Sequence, residues 1–93
     1  MKLNIQKPLV IFDLETTGLD MVNDRVIQLS YIKVYPDGKE TRGDMLINPE
    51  KHIPEMVEQL TGIKDADVAD KPTFKQVAAK LNEEFRGCDF AGF

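Results

Sequence analysis

Leu9-Val10-Ile11-Phe12 is an uninterrupted apolar run, two of its residues β-branched, that leads straight into Asp13. Such a run reads as a strand at the centre of a sheet, buried on both faces. A central strand needs neighbours, and the chain supplies them. Val26-Ile27-Gln28-Leu29-Ser30-Tyr31-Ile32-Lys33-Val34-Tyr35 is rich in β-branched and aromatic residues, and its partial alternation predicts a long strand with one wetter face. Pro36-Asp37-Gly38 is a turn with a mechanism, since proline presets φ and glycine accepts a positive φ. Thr41 to Ile47 then returns as an antiparallel strand and closes a hairpin. Between the first two strands, Thr16-Thr17-Gly18 breaks the apolar pattern and Asp20–Asp24 is polar enough for a surface loop.

After Ile47 the pattern becomes helical. Pro54 suits a first helical position, Met56, Val57 and Leu60 form an apolar stripe, and Gly62 stands where a C-terminal stop belongs. The acidic stretch 64–70 has room for one more helical turn. Thr73-Phe74-Lys75-Gln76 matches a capping box, and Phe74, Val77, Ala78, Leu81 and Phe85 then recur at helical spacing until Arg86 and Gly87 end the segment. Cys88-Asp89-Phe90-Ala91-Gly92-Phe93 opens another strand. The expected class is α/β: a three-stranded antiparallel start of a mixed sheet, followed by helices. At 93 residues there is room for one domain at most, and no repeat or linker divides it.

Composition narrows the function. With 42 % hydrophobic and 30 % charged residues the chain is neither low-complexity nor disordered. No apolar run reaches the roughly 20 residues that cross a bilayer, and the N-terminus lacks the apolar core of a signal peptide. A lone cysteine, Cys88, excludes a disulfide framework or a cysteine zinc site and fits a reducing cytoplasm. The net charge is −4, and neither half carries a basic surplus, so non-specific tracking of phosphates is not the main mode of action. An acidic chain that handles nucleic acid needs cations to offset the phosphates.

Asp13 and Glu15 bear on that requirement. If strand geometry persists to Glu15, both side chains leave one face, about 6.5–7 Å apart along the backbone, and a short and a longer carboxylate converge on hard cations such as Mg²⁺ or Mn²⁺. The same spacing also describes an aspartate that caps a turn beside a solvated glutamate. Thr16-Thr17-Gly18-Leu19 follows with exposed amides, two hydroxyls and one apolar side chain, able to hold a sugar, a phosphate and a base, or to be an ordinary turn. It is not a P-loop, because no Gly-Lys-Ser/Thr follows Gly18.

Ile11-Phe12-Asp13-Leu14-Glu15-Thr16-Thr17-Gly18-Leu19 resembles the first motif of the DEDD 3′–5′ exonucleases, above all the epsilon proofreading subunits of bacterial DNA polymerase III and their stand-alone relatives. His52-Ile53-Pro54, Leu60-Thr61-Gly62-Ile63 and Lys71-Pro72-Thr73-Phe74 are similar to further segments of that family, so the resemblance covers nearly the whole chain. It implies a ribonuclease H-like fold and two-metal hydrolysis at a 3′ end of single-stranded DNA, with RNA as the other candidate substrate and a DNA polymerase as a candidate partner. Asp13 would bridge two divalent cations, Mg²⁺ or Mn²⁺, and Glu15 would bind one of them. Thr16, Thr17 and Gly18 would face the terminal nucleotide with backbone and hydroxyl groups, Leu19 would pack against its base, and Thr61 and Gly62 would border the same pocket.

The resemblance stops short in one respect. The family's second-motif acid lies beyond a strand like the one opening near Phe90, its third motif with the general base lies further still, and the family often carries a His-Asn pair near Ala91-Gly92-Phe93. Residues 1–93 are therefore expected to be the N-terminal part of a single exonuclease domain, inactive alone and prone to self-association through exposed edges. A non-catalytic binding domain on the same fold is the alternative. His52 is in the wrong place for a general base and reads as a surface or loop-packing residue. Cys88 reads as a small hydrophobe at a strand start, and Asp65, Asp67 and Asp70 as a solvated face.

Overall fold

The computed structural model describes residues 5–18 and 24–92. Four strands and three helices follow one another as β1 (Leu9–Thr16), β2 (Val26–Val34), β3 (Glu40–Leu46), α1 (Glu55–Thr61), α2 (Asp65–Val68), α3 (Phe74–Glu84) and β4 (Asp89–Gly92). The strands form one mixed sheet in the order β3-β2-β1-β4. β1–β2 and β2–β3 are antiparallel, while β4 returns parallel to β1 after the helical crossover. Among the described residues, no helix is long and apolar enough to cross a membrane.

The hairpin between β2 and β3 closes as expected. The Tyr35 N–H donates to the Lys39 carbonyl at 2.8 Å, the Gly38 N–H to the Tyr35 carbonyl at 2.9 Å, and Gly38 takes φ +90°. The start of α3 is a reciprocal capping box. Gln76 N–H donates to Thr73 Oγ1 at 3.4 Å, and Thr73 N–H donates to Gln76 Oε1 at 3.0 Å.

One face of α3 builds the main core. Val77, Leu81 and Phe85 pack on Val10, Leu29 and Ile47, flanked by Phe12, Leu14, Tyr31 and Cys88. The Tyr31 ring stands edge-on to Phe85, centroids 4.9 Å apart, and its hydroxyl donates to Glu84 Oε1 at 3.1 Å. Lys33 Nζ adds a bond to the Glu84 carbonyl at 3.3 Å, so the end of the helix is strapped to β2. A Cβ on Gly43 would run into the Tyr31 ring, so β3 passes that ring only as glycine. A second cluster of Ile27, Ile53, Ile63 and Val68 lies under α1 and α2.

Three expectations need correction. β1 is central, but it is not buried on both faces: only Val10 is buried, and Ile11 and Phe12 are partly exposed. α3 covers the Val10–Phe12–Leu14 side, whereas Ile11 joins neither apolar cluster. An unbroken apolar run records hydrophobicity, not two-sided cover. Pro54 is not the first helical residue but the residue before it, with ψ 146°, and its carbonyl accepts the first helical bond from Glu58. The stripe on α1 is likewise not buried. Val57 alone packs inward, while Met56 is 73 % and Leu60 81 % exposed. Seven residues give barely two turns, and the helix is anchored through Val57 and the buried Ile63 just beyond it. Gly62 does end the helix as expected, at φ 76°, with its N–H on the Glu58 carbonyl.

Candidate active site on the first strand

β1 continues as a regular strand through both acids. Asp13 pairs with Ser30 and Glu15 with Gln28, and the register shifts only afterwards, between Glu15 and Thr16. Alternate strand positions share a face, so the two carboxylates leave the sheet on the side opposite α3. Asp13 therefore sits within a ladder and is no turn cap. Both acids are exposed rather than buried, so water screens their mutual repulsion. Among the described residues, no side chain hydrogen-bonds or pairs with either carboxylate. Beside Asp13 lies an open hollow of about 420 Å³, lined by Ile11, Ser30, Ile32, Arg42 and Asp44 among others.

The turn after the strand is held from within. Thr16 Oγ1 donates to the Gly18 carbonyl at 2.6 Å. Thr17 is only 1 % exposed. Its hydroxyl donates to Asp24 Oδ1 at 2.8 Å and accepts from the Arg25 N–H at 2.9 Å, while its own N–H donates to the Arg25 carbonyl at 2.8 Å. Asp24 Oδ1 also meets Lys51 Nζ at 3.3 Å. A Cβ on Gly18 would collide with this fixed Asp24 carboxylate, lying 2.9 Å from its Cγ, which makes glycine a packing requirement here. The Thr17 hydroxyl is thus committed to the loop and is not the free group expected to face a nucleotide. Leu19 and the loop residues Asp20 to Asn23 lie outside the described residues.

Thr61 and Gly62 close α1 and do not line the hollow beside Asp13. Thr61 Oγ1 donates to the Val57 carbonyl at 2.8 Å and accepts from the Ile63 N–H at 3.2 Å, a capping role that needs no ligand.

His52 is exposed, as expected, and its Nδ1 bonds to Asp65 Oδ2. The acids of the α2 segment are less idle than a solvated face. Asp65 Oδ1 accepts the Ile53 N–H at 2.8 Å, and Asp67 Oδ2 accepts the Lys64 N–H at 2.9 Å. The Ile53 amide, then His52, hold the Asp65 carboxyl below its ordinary 3.8. A lowered carboxyl stabilises the fold fully above that ordinary value and loses its contribution as the pH falls below it. Asp65→Asn is accordingly expected to be less stable than the parent near neutrality, the two converging in acid. Circular dichroism across an acid titration checks this, and curves separated by a constant amount at every pH would show the bond to be irrelevant.

Three residues near the acids escaped sequence reasoning. Asp44 on β3 faces Ser30 across the sheet, and its Oδ1 accepts from Ser30 Oγ at 3.1 Å and from Gln28 Nε2 at 2.8 Å. The polar residues at every second position of β2, Gln28 and Ser30, were the available signal for a wet face around Asp13.

Comparison with known proteins identifies the family and the fold. The exonuclease family model, RNase_T, matches residues 10–92. The PolC-type DNA polymerase III of Caldanaerobacter subterraneus subsp. tengcongensis is 31 % identical over 84 residues, covering 90 % of this chain and 6 % of the polymerase. Exonuclease X, solved in complex with 5′ overhanging duplex DNA, is 30 % identical with a TM-score of 0.67, the match covering 78 % of this chain and 42 % of that one. E. coli exonuclease I, solved in complex with a dT13 oligonucleotide, shares the fold at a TM-score of 0.77 and 19 % identity, over 95 % of this chain and 20 % of that one. The chain thus spans a small part of each of these proteins. With its mixed sheet, its carboxylates on the central strand and a family match from Val10 to Gly92, it belongs to the RNase_T exonuclease family.

Proposed function

We propose that these residues supply the first two carboxylate ligands and part of the 3′-end pocket of a metal-dependent 3′–5′ exonuclease acting on DNA. The observation that carries the reading is the placement of Asp13 and Glu15 on one exposed face of β1, unopposed among the described residues, just before a turn braced by Thr17 and Asp24. The donor set fits hard divalent cations, Mg²⁺ or Mn²⁺, which take carboxylate oxygens and keep waters for substrate. Bound there, the cations supply activation of water and stabilisation of the charge that develops on the phosphate. They also offset the acidity of a chain with net charge −4 where it meets phosphates.

The chain's own residues do the positioning. The β1–β2 ladder fixes the separation of Asp13 and Glu15 before any ligand arrives, and the Thr17–Asp24–Arg25 bonds fix the turn that meets the terminal nucleotide. Thr16 and the backbone of Thr17 and Gly18 are the groups assigned to that nucleotide, with Leu19 against its base. DNA as substrate is favoured by the DNA-bound exonuclease X and exonuclease I, and a polymerase partner by the PolC-type relatives.

Among the described residues no three His, Cys, Asp or Glu side chains gather around one ion. Two carboxylates are fewer ligands than two-cation chemistry calls for, so residues 1–93 alone are expected to release no nucleotide above background from an end-labelled oligonucleotide in Mg²⁺ or Mn²⁺. In a protein that joins them to further carboxylate ligands, a 5′-labelled strand is expected to shorten stepwise from its 3′ end and to be spared in EDTA. Shortening from the 5′ end, or digestion that survives EDTA, sinks the reading. Light scattering on the isolated chain is expected to show species larger than a monomer, because Phe90 on β4 is 57 % exposed.

A further inference from the structure

Asp13 and Glu15 each have one cross-strand neighbour on β2, Ser30 and Gln28 respectively, and both neighbours are hydrogen-bond donors. Side chains directly opposite on adjacent strands have Cβ atoms about 4.5–5.5 Å apart, close enough for either donor to turn onto the carboxylate facing it. Neither does. The Ser30 hydroxyl and the Gln28 amide both donate to a single atom, Oδ1 of Asp44, on the far side of β2. A hydroxyl has one proton, so Ser30 cannot serve Asp44 and Asp13 together. The Gln28 amide is drawn the same way, towards β3 and away from Glu15.

We infer that Asp44 is a positioning residue, which holds the Ser30 and Gln28 donors away from the two candidate ligands so that the carboxylate oxygens of Asp13 and Glu15 remain free for a cation. The inference rests on the cation-binding reading of those acids. A donor left on a carboxylate competes with a cation for the same lone pairs, and a hydrogen bond to a charged group is strong enough for that competition to count. Asp44 acts from two strands away, through Ser30 and Gln28, and itself touches no cation in this scheme. The register carries the argument, because one acceptor collects the facing neighbours of both acids.

Mn²⁺ titration of the 93-residue chain, followed by paramagnetic broadening of the Asp13 and Glu15 amide resonances, tests this without relying on turnover. Asp44→Ala frees Ser30 and Gln28 to fall back on the acids, and is expected to raise the Mn²⁺ needed for half-broadening by about threefold to tenfold. Asp44→Asn keeps an acceptor oxygen without the charge and is expected to stay near the parent. Asp44→Ala combined with Ser30→Ala removes the released hydroxyl and is expected to recover most of the loss. Dispersed amide spectra show that each variant is folded. An Asp44→Ala titration that matches the parent overturns the inference. So does an Asp44→Asn variant as weak as Asp44→Ala, which assigns the effect to charge alone, and so does a double variant that recovers nothing. If the parent itself shows no selective broadening at Asp13 and Glu15, the cation reading falls first and this inference with it.

Discussion

Asp13→Ala, in a protein that carries residues 1–93 and degrades DNA from its 3′ end, is expected to lower the rate by about a thousandfold or more while leaving the fold intact. The size follows from the role proposed for the carboxylate: it would hold a cation whose charge is worth several kcal/mol in the transition state, and each 1.36 kcal/mol is about a factor of ten. The harmlessness to the fold follows from its setting. Asp13 is exposed, joins neither apolar cluster and makes no side-chain bond among the described residues. Steady-state rates on a 5′-labelled oligonucleotide, beside thermal unfolding curves, separate the two effects. Retention of a tenth of the parent rate would make the match of Asp13 to a catalytic ligand coincidental.

Phe85→Ala carries the largest expected loss of stability. The ring is buried at the end of α3, edge-on to Tyr31 and 6.1 Å from the Phe90 ring, and so joins the helix to β2 and to β4 at once. Truncating a buried phenylalanine costs about 3–5 kcal/mol, against a total stability of about 5–15 kcal/mol for ordinary domains. Denaturant unfolding is expected to show most of the stability gone. Leu60→Ala, at a position 81 % exposed, is expected to change it by less than about 0.5 kcal/mol. A similar loss for both variants would mean that the α1 face is covered in solution.

The strands and α3 were legible because their determinants are local. Pro36-Asp37-Gly38 names its own turn, and Thr73 to Gln76 names its own cap. The spacing of Val77, Leu81 and Phe85 gives the buried face of α3 directly. The placement of Asp13 and Glu15 was legible for the same reason, since a strand period of two is enough to put them on one face. What escaped depends on distant partners. The Thr17 hydroxyl looks free until Asp24 and Arg25, seven and eight residues on, close around it. Met56 and Leu60 look like a core stripe because periodicity shows which residues share a face but not whether anything covers it. Asp44 had no local mark at all, because its role exists only once β2 and β3 lie in register.

The register shift between Glu15 and Thr16 divides β1 mechanically. Everything before it is clamped by the β2 ladder on one side and, over its first four residues, by β4 on the other. Just past it Thr16 still pairs with Val26, and Thr17 is held by Asp24 and Arg25. Bulges of this kind let a strand end point somewhere new without disturbing the ladder behind it. A change of direction at Thr16 and Thr17 therefore leaves the ladder that spaces Asp13 and Glu15 in place. The seven residues from Leu9 to Glu15 thus keep the spacing of the two acids whatever direction the chain takes past the shift.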